Sequence, residues 1–241
     1  MVGATRPNEV ISVRTRPSVV AFDVVETLMA LEPLASRLTD VGLPETTLRR
    51  WYDRLIRDGV VLTLAGDYVP FPELAADALH GVSERELDDA AVRHVLDGFG
   101  ELPAHPDAEP AMRELAGAGV EMVCLSNGAA RTTEDFLDRT GLARYIGQVI
   151  SVAEVSRWKP AREVYEHALR RIGAPAERVA LVAVHGWDCH GASKAGLTTG
   201  WASRLEGSRR RVFTEPDVIG ADLVAVAKGL LALPQDTDSS G

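Results

Sequence analysis

The stretch Val19-Val20-Ala21-Phe22-Asp23-Val24-Val25-Glu26-Thr27-Leu28 sets four apolar residues, two of them β-branched, directly before a carboxylate. An unbroken apolar run of this length, without polar alternation, reads as a strand buried on both faces, as in a parallel sheet. Asp23 then stands at the C-terminal end of that strand, the edge where open α/β sheets bind their ligands. Thr27 follows four residues later. Read alone, Asp23 also fits the N-cap of a helix, and this segment leaves the two readings open.

Working outward, similar runs recur at residues 122–125, 149–152, 179–184 and 197–201. Helical periodicity fills the gaps between them: residues 110–118 stop at Gly119, 161–172 at Gly173, and 221–233 before Pro234. This alternation predicts an α/β fold, a Rossmann-like parallel sheet core with helices on both faces. Between Phe22 and Met122 no comparable strand run occurs, and residues 46–64, 71–79 and 84–96 read as amphipathic helices. The spacing predicts a helical cap over residues 35–105, inserted after the first strand. The core is then residues 17–34 and 106–233. Residues 1–16 and 234–241, polar and turn-rich, are expected to be a disordered N-terminal arm and a disordered tail.

At 241 residues the chain is long for one domain and short for two, which suits one core with one insertion. A composition of 46% hydrophobic and 25% charged residues is that of a soluble globular protein. The net charge of -9 argues against nucleic acid or an anionic membrane as partner, because both select for Lys and Arg. No stretch resembles a signal peptide or approaches 18 consecutive apolar residues, so a cytoplasmic protein is expected. Cys124 and Cys189 lack the spacing of a disulfide framework or a zinc site.

Three more polar clusters follow apolar runs. In Ser126-Asn127-Gly128 the hydroxyl and the next backbone N–H groups can hold an anion or a developing oxyanion, or can simply cap a turn. Lys159, in Trp158-Lys159-Pro160 just ahead of a helix containing Tyr165, is either a point charge for a carboxylate or an ordinary loop lysine. The segment His185-Gly186-Trp187-Asp188-Cys189-His190-Gly191-Ala192 gathers an acid and two imidazoles where a strand gives way to a helix. His185 and His190 lack a third ligand at suggestive spacing, so no metal is expected.

The order Asp, Ser, Lys, Asp, each after a strand, resembles the haloacid dehalogenase superfamily, and its 2-haloacid dehalogenase branch in particular, from residue 19 to about 233. Asp23 with Thr27, Ser126-Asn127-Gly128, Lys159-Pro160 with Tyr165, and Trp187-Asp188 followed by Gly191-Ala192 carry the resemblance. It implies a hydrolase in which Asp23 attacks a substrate carbon, displaces the leaving group and forms an ester that water then hydrolyses. Lys159 would keep Asp23 ionised. Thr27, Ser126 and Asn127 would position the nucleophile and a substrate carboxylate, Tyr165 would support them, and Asp188 would help direct water. The implied substrate is a short 2-haloacid, a small organic acid. No cofactor is implied, and the family pattern suggests a homodimer.

Phosphatases of the superfamily carry a second Asp two residues after the nucleophile as general acid. Here that position is Val25, which can neither donate nor accept a proton. Mg-dependent phosphatase or phosphonatase chemistry is therefore the weaker alternative, whereas a halide leaves without a proton. The chain also departs from the dehalogenase branch. Val25 and Glu26 stand where that branch has Tyr and Gly, and Ala183 and His185 replace its Ser and Asn. At the place of a halide-abstracting cap Arg stands Trp51 or Tyr52, with Arg50 or Arg54 as approximate substitutes. Trp51, Tyr52, Tyr68 and Phe71 can line an apolar substrate chamber or belong to the core. His185, three residues from Asp188, is expected to pair with it as general base for ester hydrolysis. A third reading is a catalytically silent homologue that binds a small molecule or a protein through its cap.

Overall fold

The structure, a computed structural model, describes residues 14–83 and 86–235. In chain order the elements are β1 (Val19–Phe22), α1 (Leu34–Asp40), α2 (Thr47–Ala65), α3 (Phe71–Val82), α4 (Asp89–Asp97), α5 (Ala108–Gly117) and β2 (Glu121–Ser126). There follow α6 (Ala130–Thr140), β3 (Gln148–Ser151), α7 (Arg162–Ile172), β4 (Val179–Ala183), α8 (Gly186–Lys194), β5 (Thr198–Ala202), β6 (Val218–Gly220) and α9 (Leu223–Leu231).

All six strands pair in parallel in the order β3-β2-β1-β4-β5-β6. β1 lies inside the sheet, which is why its four residues are all buried and all apolar. Side chains alternate across the pleat. Val20, Phe22, Met122, Cys124, Ala180 and Val182 join the core under α5 and α9, whereas Val19, Ala21, Val123, Leu125, Val179 and Leu181 join the one under α7. Register aligns Phe22 with Cys124 on one side and Val182 on the other, so the polar residues after β1, β2 and β4 emerge at one level.

The expected strand runs all lie in strands, displaced by a residue or two; the three-residue edge strand β6 and the helices α1 and α6 were not anticipated. The helix expected over residues 84–96 begins only at Asp89. Residues 84 and 85 lie outside the described residues, and the Asp88 carboxylate, accepting from Ala91 N at 2.8 Å, caps the start. Of the expected arm and tail, residues 1–13 and 236–241 lie outside the described residues. Arg14 pairs with Asp217 at 3.0 Å, and Arg16 N donates to Pro234 O. No described helix is long and apolar enough to cross a membrane.

Helices α1 to α4 form the insert after β1 and sit over the strand ends, joined to the core through Trp158. Its indole is fully buried, stacks on Phe71 at 5.9 Å, and donates from Nε1 to Val69 O at 3.1 Å. The ring lies so close to α2 that a Cβ on Gly59 would come within 2.5 Å of it, so only glycine fits there.

Candidate active site

Asp23 continues β1, donating its N–H to Val182 O at 3.0 Å. The chain then turns sharply, with Leu28 N and Met29 N both donating to Val24 O, and this brings Thr27 back over Asp23. Thr27 Oγ1 donates to Asp23 Oδ2 at 2.6 Å and accepts from Val184 N at 3.1 Å. Lys159 Nζ donates to Asp23 Oδ1 at 2.6 Å, Asp188 Oδ2 at 2.7 Å and Leu125 O at 2.9 Å, which uses all three ammonium hydrogens. The other oxygen of Asp188, Oδ1, accepts from Tyr165 OH at 2.6 Å. Gly191 allows that contact, since a Cβ there would lie 2.6 Å from the Tyr165 hydroxyl.

Lys159 and Asp188 are fully buried and Asp23 nearly so. Burial pushes the Asp23 carboxyl up, but Lys159, His185 and the Lys159 and Thr27 hydrogen bonds together hold it below its ordinary value. Burial lowers Lys159, and its two carboxylate partners more than reverse this, so the ammonium stays protonated. Asp188 goes the other way: burial and the neighbouring Asp23 charge raise it against the pull of Lys159. One cation thus serves two carboxylates, and Asp23 is the ionised member best suited to attack. Each Asp23 oxygen retains a second lone pair.

On the opposite flank stands His185. Its Nε2 lies 3.3 Å from Val25 O, 3.5 Å from Glu26 Oε2 and 3.7 Å from Asp23 Oδ2, and the rings of Tyr52 and Trp187 stack against the imidazole at 6.3 and 5.2 Å between centroids. The expected pairing of His185 with Asp188 is not made, because both Asp188 oxygens are taken by Lys159 and Tyr165. The carboxylate beside His185 is Glu26. The hydrogen-bond partner of Nε2 is Val25 O, to which it donates, and both carboxylates lie just beyond it. Its companion His190 instead pairs through Nδ1 with Thr214 at 2.9 Å.

At the end of β2, Ser126 Oγ accepts from Gly128 N at 2.9 Å. Asn127 Oδ1 accepts from Lys159 N at 3.0 Å, so this amide ties the lysine loop to the β2 edge. Ser126 borders an apolar cavity of about 310 Å³ whose walls include Val25, Met29, Phe71, Phe99 and Phe136. A second cavity of about 220 Å³, lined by Glu26, Arg49, Tyr52, Ile56, His185 and Trp187, opens on the His185 flank.

Two expected substrate residues lie elsewhere. Trp51 is fully buried in the cap, its Nε1 spent on Ala75 O at 2.8 Å and its ring edge-on to Phe99. Arg54 pairs with Asp58 at 2.6 Å along α2 and rests against Gly81 of α3. The cap arginine at the site is Arg49, 3.7 Å from Glu26 Oε1. Its signal was helical phase, since Arg49 and Tyr52 share a face at a spacing of three. Glu26 was also missed as a site carboxylate. It sits in the left-handed region at φ 64°, where glycine is favoured. Among the described residues, no group of three or more His, Cys, Asp or Glu is placed to hold a metal ion.

Residues 17–196 match the haloacid dehalogenase-like hydrolase family. The (S)-2-haloacid dehalogenase 1 of Pseudomonas sp. (strain CBS-3) is 30% identical over 76% of this chain and 83% of its own. The (S)-2-haloacid dehalogenase of Pseudomonas putida is 26% identical over 88% of this chain and 96% of its own. A crystal structure of an L-2-haloacid dehalogenase superposes with a TM-score of 0.84 at 30% identity, covering 90% of this chain and all of the other. With its nucleophile edge, its lysine and its helical insert after β1, the chain belongs to the haloacid dehalogenase-like hydrolases, on the side of the 2-haloacid dehalogenases.

Proposed function

We propose that this chain hydrolyses the carbon–halogen bond of a short 2-haloacid through an ester on Asp23. The observation that carries the reading is the pinned Asp23 carboxylate. Lys159 and Thr27 fix its two oxygens, while the residue two positions on, Val25, supplies no proton for an alkoxide leaving group. Halide is the leaving group that needs none. Such a displacement runs with the nucleophile and the leaving group in line, so the product is a 2-hydroxyacid inverted at the attacked carbon.

The Ser126 hydroxyl, whose oxygen accepts from Gly128 N and whose hydrogen is left for a ligand, is assigned to the substrate carboxylate, and the apolar cavity beside it to the alkyl substituent. His185, anchored on Val25 O, stands 3.7 Å from Asp23 Oδ2 and so beside the ester, Tyr52 and Trp187 pack against the imidazole, and Asp188 with Tyr165 fixes Lys159. Two cap arginines, Arg49 and Arg57, line the His185 cavity; Arg57 pairs with Asp58, and Arg49, beside Glu26, is assigned to the departing halide in place of Arg54.

The test is halide release from a panel of 2-haloacids, the (S) enantiomers first, without added metal, with intact-protein mass spectrometry for an adduct on Asp23. Halide release together with the adduct is the expected result. Mg-stimulated phosphate release from phosphate esters, with no halide released from any haloacid, would overturn the reading.

A further inference from the structure

Hydrolysis of an aspartyl ester needs a proton acceptor, and the groups expected to provide one are engaged. Asp188 is fully buried against Lys159 and Tyr165 and lines neither cavity, His185 Nε2 faces three oxygens, and Asp23 is itself the ester. Glu26 differs. Its side chain is nine-tenths buried, and its Oε2 has no hydrogen-bond partner among the described residues. That oxygen lies 3.5 Å from His185 Nε2, which is in turn 3.7 Å from Asp23 Oδ2. Glu26 and His185 both line the cavity of about 220 Å³, and Oε2 itself lies just behind that wall, out of contact with solvent. Glu26 is held at φ 64°, a strained conformation for a residue with a side chain, and strain of this kind collects at functional sites.

We infer that Glu26 is the general base for the second half of the reaction, taking a proton from a water held between its carboxylate, His185 and the acyl carbon of Asp23. The inference rests on the aspartyl-ester reading. As the water oxygen bonds to Cγ, one of its protons passes to Glu26. When the tetrahedral species collapses, the bond between Cγ and the substrate-bearing oxygen breaks, and Glu26 returns that proton to the departing alkoxide, giving the 2-hydroxyacid. The second water proton, left on the regenerated Asp23 carboxyl, leaves through the cavity to solvent. Atoms and charge balance: ester and water give alcohol, carboxylate and one proton. Burial raises the Glu26 carboxyl above its usual range, against the opposing pull of His185 and Arg49, which favours a base at neutral pH.

The test is a rapid-mix experiment with an (S)-2-haloacid on the wild type and Glu26→Gln, following halide and intact-protein mass together. In the variant the first halide should be released and an Asp23 adduct should accumulate. Steady-state turnover should fall by about 10²- to 10⁴-fold. Added formate should restore part of the turnover in Glu26→Gly, a rescue that a merely structural role would not show. The inference is overturned if Glu26→Gln turns over within a few-fold of wild type, or if adduct formation slows as much as turnover. Absence of halide release and of any adduct in the wild type would instead remove the aspartyl-ester reading, and this one with it.

Discussion

The two flanks of Asp23 are built on opposite plans. On one, Lys159, Asp188, Tyr165 and Thr27 form a closed network whose side-chain donors each meet an acceptor within 2.6–3.1 Å. On the other, His185 and Glu26 stand at 3.5 Å with a buried oxygen left unpaired and a cavity beside them. A fully satisfied network fixes geometry, whereas an unsatisfied group keeps capacity for a passing proton or water. The difference suggests a division of labour, with the closed flank preparing the nucleophile and the open flank handling hydrolysis.

The largest expected effect comes from removing what both flanks share. Asp23→Asn should lower steady-state halide release by at least about 10⁴-fold, measured by ion chromatography. Breaking the closed flank alone is next. Lys159→Met leaves two buried carboxylates without their cation and should cost roughly 3–5 kcal/mol of stability in urea unfolding at pH 7. The sign of its pH dependence follows from the raised Lys159 pKa. Its contribution is complete below the unfolded value near 10.5 and is lost as pH rises through the higher folded value. Between pH 9 and 12 the wild type should therefore lose stability more steeply than Lys159→Met. Equal slopes would show that the ammonium is not held by its partners.

Thr27→Val removes one hydrogen bond to Asp23 and one from Val184 N, and should slow adduct formation by about 10- to 100-fold, equivalent to roughly 1–3 kcal/mol. If it slowed ester hydrolysis alone, the two flanks would not divide the work as described. The smallest effect belongs to Arg54→Ala, whose pair with Asp58 is part-exposed and remote from Asp23. Its kcat and KM should stay within about two-fold of wild type.

Much of the closed flank was legible in the sequence because Thr27, Lys159 and Asp188 come after the apolar strands β1, β3 and β4, and parallel strands in register deliver such residues to one edge, with Tyr165 on the helix that Lys159 precedes. The open flank was not. His185 and Asp188 are three residues apart, but they straddle the start of α8, where one side chain crosses to the β1 turn and the other reaches Lys159. Separation along the chain is no guide to distance across a strand-to-helix junction. The cap misled for a related reason. Along a helix, a shift of two residues turns a side chain through about 200°, so Arg54 points away while Arg49 and Ile56 share the cavity with Tyr52. Glu26 left no local pattern, since only the folded turn shows that its neighbours leave it unpaired.

Trp158 bears on how substrate comes and goes. The indole is fully buried between α2 and Phe71, and the next residue in the chain is Lys159. Lifting the insert away as a lid would bare roughly 150–250 Å² of aromatic surface, at a cost of about 4–6 kcal/mol. At tenfold per 1.4 kcal/mol, between about one molecule in 700 and about one in 20,000 would be open in this way at any instant. The same movement would tug on the lysine that charges the nucleophile. Traffic is therefore better served by small side-chain excursions around the mouths of the two cavities, with the insert acting as a fixed roof.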